Sequence, residues 1–136
     1  MFEGRWQVAE EMRWFSLILC LLPIHAHADF WVNVVNSEEG DSYFVDVNSI
    51  LRIGNIQSYL EKTNYHKPTK YGDLSTLGTH KINCDTKEYQ IAVISFYKEI
   101  DNKGEQTSTI YPKDQSWKPI LPNTIYASLM RFVCKR

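Results

Sequence analysis

No apolar run in this sequence is long enough to cross a bilayer as a helix. The main one, "WFSLILCLL" from Trp14 to Leu22, has nine residues and closes at Pro23, against the roughly 20 a spanning helix needs. The chain also lacks a P-loop, a dinucleotide-binding glycine fingerprint, a zinc-ligand spacing and a G-x-S-x-G nucleophile elbow. Catalysis requires a nucleophile beside a base, or paired carboxyls, brought together. With no such constellation in view, the expectation is a protein that is not an enzyme and holds no cofactor. Basic runs, acidic tails, low-complexity stretches and internal repeats are missing too. From Asp29 to Arg136 there are 13 Lys and Arg against 13 Asp and Glu. That balance argues against nucleic acid, whose binding rests on counterion release by a basic surface. Cysteine is sparse, at Cys20, Cys84 and Cys134, with no Cys-x-x-Cys to hold a metal.

What is present begins with an export signal. Ala26-His27-Ala28 places small residues at positions −3 and −1 of a cut before Asp29. Ahead of it lie the short apolar run and Arg13, which together make a secretory signal peptide. The first eleven residues, "MFEGRWQVAEE", are too acidic for such a leader, so Met12 is the expected true start. Residues 1–28 are accordingly read as N-terminal extension and signal peptide, and residues 29–136 as one small exported domain. His25 and His27 fall on the removed side. Lipidation at Cys20 is the alternative to cleavage after Ala28, but Leu19 stands where a lipid-anchored leader carries a small residue.

Two cysteines remain, Cys84 and Cys134. An oxidising compartment and an even count favour one disulfide; two buried free thiols are the alternative. Strand patterns cover "WVNVV" (31–35), "YFVDV" (43–47), a long alternating segment from Ile56 to His66 with one wet side, "LGTHKINC" (77–84) and "YQIAVISFY" (89–97). The last is apolar on both faces and is expected at the sheet centre. Residues 98–108 are polar and expected to be mobile. From Pro122 the period becomes helical: Ile125, Leu129, Phe132 and Val133 form a stripe, Asn123 or Thr124 can cap the start, and Arg131, Lys135 and Arg136 suit the end. The sum is an α+β fold: an antiparallel β-sheet of about five to six strands packed by a C-terminal α-helix.

The ordered set "FWVNVVNSEEGDSYFVDVNSI", "YHKPTKYG", "INCDTKEYQIAVISFY" and "SWKPILPNTIYASLMRFVC" resembles the surface-adhesin protein E family of Gram-negative bacteria, from about Trp31 to Cys134. The resemblance implies an antiparallel sheet under a C-terminal helix with the two cysteines bridged. It also implies a non-catalytic adhesin that binds host extracellular-matrix or serum proteins such as vitronectin and laminin, captures plasminogen, is linked to haem and forms homodimers. A soluble periplasmic accessory protein of unknown ligand is the alternative, and haem binding a third reading. Localisation follows as periplasm or outer cell surface. No ligand-contact residue is carried over.

Residue by residue, the chemistry is thin. His66 adjoins a loop with Lys67 and Lys70, and His80 shares parity with Ile82 and Cys84; each is read first as an ordinary structural histidine. Asp46 is read as a turn cap. Aromatics weigh more, because Trp and Tyr dominate interface hot spots. Tyr65, Lys67, Lys70 and Tyr71 form a mixed aromatic and basic loop, and with Trp117 they make the candidate binding surface. Trp117 is otherwise expected to cover the helix–sheet core.

Overall fold

The computed structural model describes residues 28–136. The signal-peptide run, Met12, Cys20, His25 and His27 lie outside the described residues. Eight strands and one helix follow Phe30: β1 (Trp31–Asn36), β2 (Ser42–Asp46), β3 (Leu51–Ile53), β4 (Ile56–Asn64), β5 (Ser75–Asn83), β6 (Glu88–Tyr97), β7 (Gln106–Ile110), β8 (Lys118–Pro119) and α1 (Ile125–Val133). All pair antiparallel in one sheet ordered β1-β2-β4-β5-β6-β7, with β3 on β4 and β8 on β6. The class is the expected α+β arrangement, with more strands than the five or six anticipated.

Local chemistry explains the extra strands. Asp46 is buried; its carboxylate accepts the amides of Phe30 (2.9 Å) and Asn48 (3.0 Å), capping a 3-10 turn at Val47–Ser49. The Ser49 hydroxyl then accepts the amide of Leu60 at 2.8 Å, and Leu51–Ile53 folds back on β4 through a tight turn at Gly54-Asn55, where Gly54 takes a φ of +60°. The segment expected to be mobile instead forms a 3-10 turn at Ile100–Asn102 and the edge strand β7. It is tied down by Ser75 Oγ donating to Glu99 O (2.5 Å) and Thr107 Oγ1 donating to the buried Asp73 (2.8 Å).

The long pair β4–β5 runs in register from Ile56↔Asn83 to Asn64↔Ser75. The expectation of one wet side on β4 is not met, because no residue of that strand is exposed. Gln57, Tyr59, Glu61 and Thr63 turn under the helix. On the opposite face Lys62 is covered: its ammonium sits 4.8 Å from the ring centres of both Trp31 and Phe44 and 2.9 Å from Asp101. β6 has partners on both sides, as its apolar faces predicted. All ten of its residues are nevertheless only half-buried.

The core is Val45, Tyr59, Ile82, Leu129 and Val133, each at most 1 % exposed. Burying side chains of this size contributes about 1.5–3 kcal/mol apiece. Thr124, not Asn123, caps the helix, its hydroxyl accepting the Ala127 amide at 3.2 Å. Cys84, just past β5, is bonded to Cys134, the C-terminal cap of α1, with Cα atoms 5.9 Å apart. The helix is thus held at one end by a hydroxyl cap and at the other by a covalent bond to the sheet. No helix among the described residues is long and apolar enough to cross a membrane.

Candidate functional site

Where α1 begins, the sheet beneath it is not filled by the helix, and a cleft of about 200 Å³ opens. Register places its floor. Tyr59 pairs with His80 and Glu61 with Gly78, so two polar side chains and a bare backbone meet on the helix face. The absence of a side chain at Gly78 is required: a Cβ there would lie 2.8 Å from both His80 Nε2 and the carbonyl of Val93. His80 occupies that space.

Glu61 and His80 are 5 % and 4 % exposed. Glu61 Oε2 accepts the Tyr59 hydroxyl at 3.0 Å and lies 3.3 Å from His80 Nδ1, which is 3.2 Å from the Tyr126 hydroxyl. Burial pushes the His80 imidazole below its usual range, and the Glu61 carboxylate only partly opposes this. Burial likewise raises the Tyr59 phenol far above its ordinary value, with neighbouring Glu61 adding to the shift. Tyr126, stacked on Tyr89 at 3.8 Å between ring centres, is raised for the same two reasons. The neutral forms therefore prevail at neutral pH, and the cluster is a polar floor inside an apolar rim. Tyr43 and Tyr65 stand on the walls with Ile91, Ile94 and Ile125.

The residues singled out from sequence are dispersed. Tyr65 is half-buried and lines this cleft. Lys67 lines a wider depression of about 500 Å³ with Glu39, Asp41 and His66. Lys70 and Tyr71 are exposed, the ammonium 4.9 Å from the Tyr71 ring centre, and Lys98 Nζ holds the Tyr71 carbonyl at 2.7 Å. Trp117 does not join them. It precedes β8, which pairs with Glu88 and Tyr89, whereas the loop after β4 is tied through Leu74 to Tyr97 at the other end of β6. Nor is half-buried Trp117 among the described side chains packed on the core; Ile120 occupies that place. Sequence reasoning passed over Glu61 and Gly78. The available signal was parity: Glu61 shares a face with Tyr59, and His80 with Ile82. Among the described residues no group of three or more His, Cys, Asp or Glu converges as a metal would require.

The fold is that of a small, disulfide-braced β-sheet module packed by one C-terminal helix. The family described as surface-adhesin protein E matches residues 31–135, and the chain belongs to that family. Solved structures share the fold. The selenomethionine form of Haemophilus influenzae protein E is 18 % identical, with a TM-score of 0.59 over 78 % of this chain and 86 % of that one. A second crystal form is 19 % identical, with a TM-score of 0.56 over 77 % and 87 %. Protein E from non-typeable H. influenzae is 17 % identical, with a TM-score of 0.52 over 85 % and 82 %. No curated protein matches the sequence significantly.

Proposed function

We propose that this chain is a non-catalytic, exported adhesin whose mature part, residues 29–136, binds host extracellular-matrix or serum proteins at the outer surface of a Gram-negative cell. Membership of the surface-adhesin protein E family across nearly the whole domain is the observation that carries this reading. The fold supports it. A sheet fastened to its helix leaves loops free to vary, and the loop after β4 presents Tyr71, 72 % exposed, beside Lys70. An aromatic–cation pair of that kind is common among residues that anchor interfaces. The edge strand β7 is exposed along its whole length and offers unpaired backbone to a second copy; light scattering reads that state directly.

Cell fractionation combined with adherence tests the adhesin reading. A strain lacking the protein should adhere less to vitronectin- or laminin-coated surfaces, and the protein should be accessible to protease on intact cells. Protein confined to the periplasm, with adherence unchanged, overturns it. That outcome would favour the second reading, a soluble periplasmic protein that takes a ligand. The cleft at Glu61 is the feature that supports it.

A further inference from the structure

The carboxylate of Glu61 is bonded on one side only. Oε2 meets Tyr59 and His80, while among the described residues nothing donates to Oε1. That oxygen belongs to a side chain 5 % exposed that lines the cleft. The lining contains no Lys or Arg, and Lys62, next in sequence, points to the opposite face between Trp31 and Phe44. His80 is the one other charge-capable neighbour on the floor, and its burial favours the neutral ring. The helix does not supply the missing donor either, since the Ala127 amide is taken by Thr124 and no described helix amide bonds Glu61. Among the described residues the fully buried oxygens without a partner are Gln57 Oε1 and Asn102 Oδ1; Glu61 Oε1 instead opens to the cleft, where a cationic donor can reach it in a charge-assisted hydrogen bond. Around it stand the rings of Tyr43, Tyr65 and Tyr126, whose faces attract cations, and beyond them Ile91, Ile94 and Ile125. The cleft, about 200 Å³, is below the roughly 300 Å³ at which drug-sized pockets begin.

We infer that the Glu61 cleft binds a small organic ammonium ion, whose N–H groups donate to Glu61 Oε1 while its carbon skeleton packs among the tyrosine rings and isoleucines. The site does not depend on the adhesin reading, because matrix proteins would meet the exposed loops and the cleft lies beneath the start of α1.

Isothermal titration of the mature protein with benzylammonium, benzyl alcohol and benzoate tests the assignment. These probes have nearly the same shape and differ in charge. Benzylammonium should bind at least about tenfold more tightly than the alcohol, as expected of a hydrogen bond to a charged partner, and benzoate should not bind. Glu61→Gln should remove that preference, with near-ultraviolet circular dichroism confirming its fold. The comparison of three probes on the unmodified protein stands even if that variant misfolds. Equal binding of amine and alcohol, tighter binding of benzoate, or no binding of the amine would each overturn the inference. Loss of matrix binding with amine binding intact would fail the adhesin reading alone.

Discussion

Replacing both cysteines, C84A with C134A, isolates what the bond between β5 and α1 contributes. The two residues are separated by 50 positions. In the chain-entropy model a loop of that size removes about 14 cal/mol/K from the unfolded ensemble, or ~4 kcal/mol at about 25 °C. A small domain has a total stability of only about 5–15 kcal/mol, so the loss is a large fraction of the whole. It corresponds to a fall in Tm of roughly 15–20 °C for a domain of this length. Urea unfolding followed by the fluorescence of Trp31 and Trp117 measures it. The midpoint should drop, and reduced wild-type protein should match the double variant, because the effect resides in the unfolded chain. A difference below about 1 kcal/mol would refute the reasoning, since the helix would then be held by packing alone.

Further outcomes follow from the buried polar groups. Lys62→Ala should cost about 2–3 kcal/mol by removing two cation–π contacts and the stem that fills the space between Trp31 and Phe44, whereas Lys62→Met should cost only about 1 kcal/mol. Asp101 is 42 % exposed, so its ion pair contributes little to either figure; chemical denaturation distinguishes the two variants. The folded-state pKa of His80 is depressed by burial from 6.5. Its contribution is therefore present above pH 6.5 and lost as pH falls through the folded value, by at most about 1.4 kcal/mol per pH unit. Denaturation between neutral and mildly acidic pH should show that slope, and His80→Asn should remove it. The phenols of Tyr59 and Tyr126 are raised above 10.0 by burial. Their stabilising effect is complete below that pH and is lost as pH rises beyond it, so ultraviolet titration should leave these two tyrosines un-ionised until the protein unfolds.

Much of the scaffold could be read before any coordinates. The helical stripe of Ile125, Leu129 and Val133 predicted α1, and the two-residue alternation predicted β4 and β6. Two strands escape the pattern for different reasons. Leu51–Ile53 is only three residues long and pairs locally, Ile53 opposite Ile56 across Gly54-Asn55, whereas Gln106–Ile110 pairs with β6 and is tied by Thr107 to Asp73, 34 positions away. The cleft needed register. Glu61, Gly78 and His80 become neighbours only when β4 and β5 pair as they do, and a one-residue slip would turn the same side chains to the other face. Trp117 shows the converse failure, a residue type suited to interfaces that the topology sets at the wrong end of β6 to share the loop surface.

Surface plasmon resonance of purified residues 29–136 over immobilised vitronectin and laminin tests the central claim, that the module binds matrix or serum protein through its exposed loop. The account predicts saturable binding that the double variant K70A/Y71A weakens by about fivefold or more, the least expected when a hot-spot pair is truncated, while C84A/C134A weakens it only to the extent that it unfolds the domain. Absence of binding by the oxidised, folded protein to either surface, or binding indifferent to Lys70 and Tyr71, would contradict it.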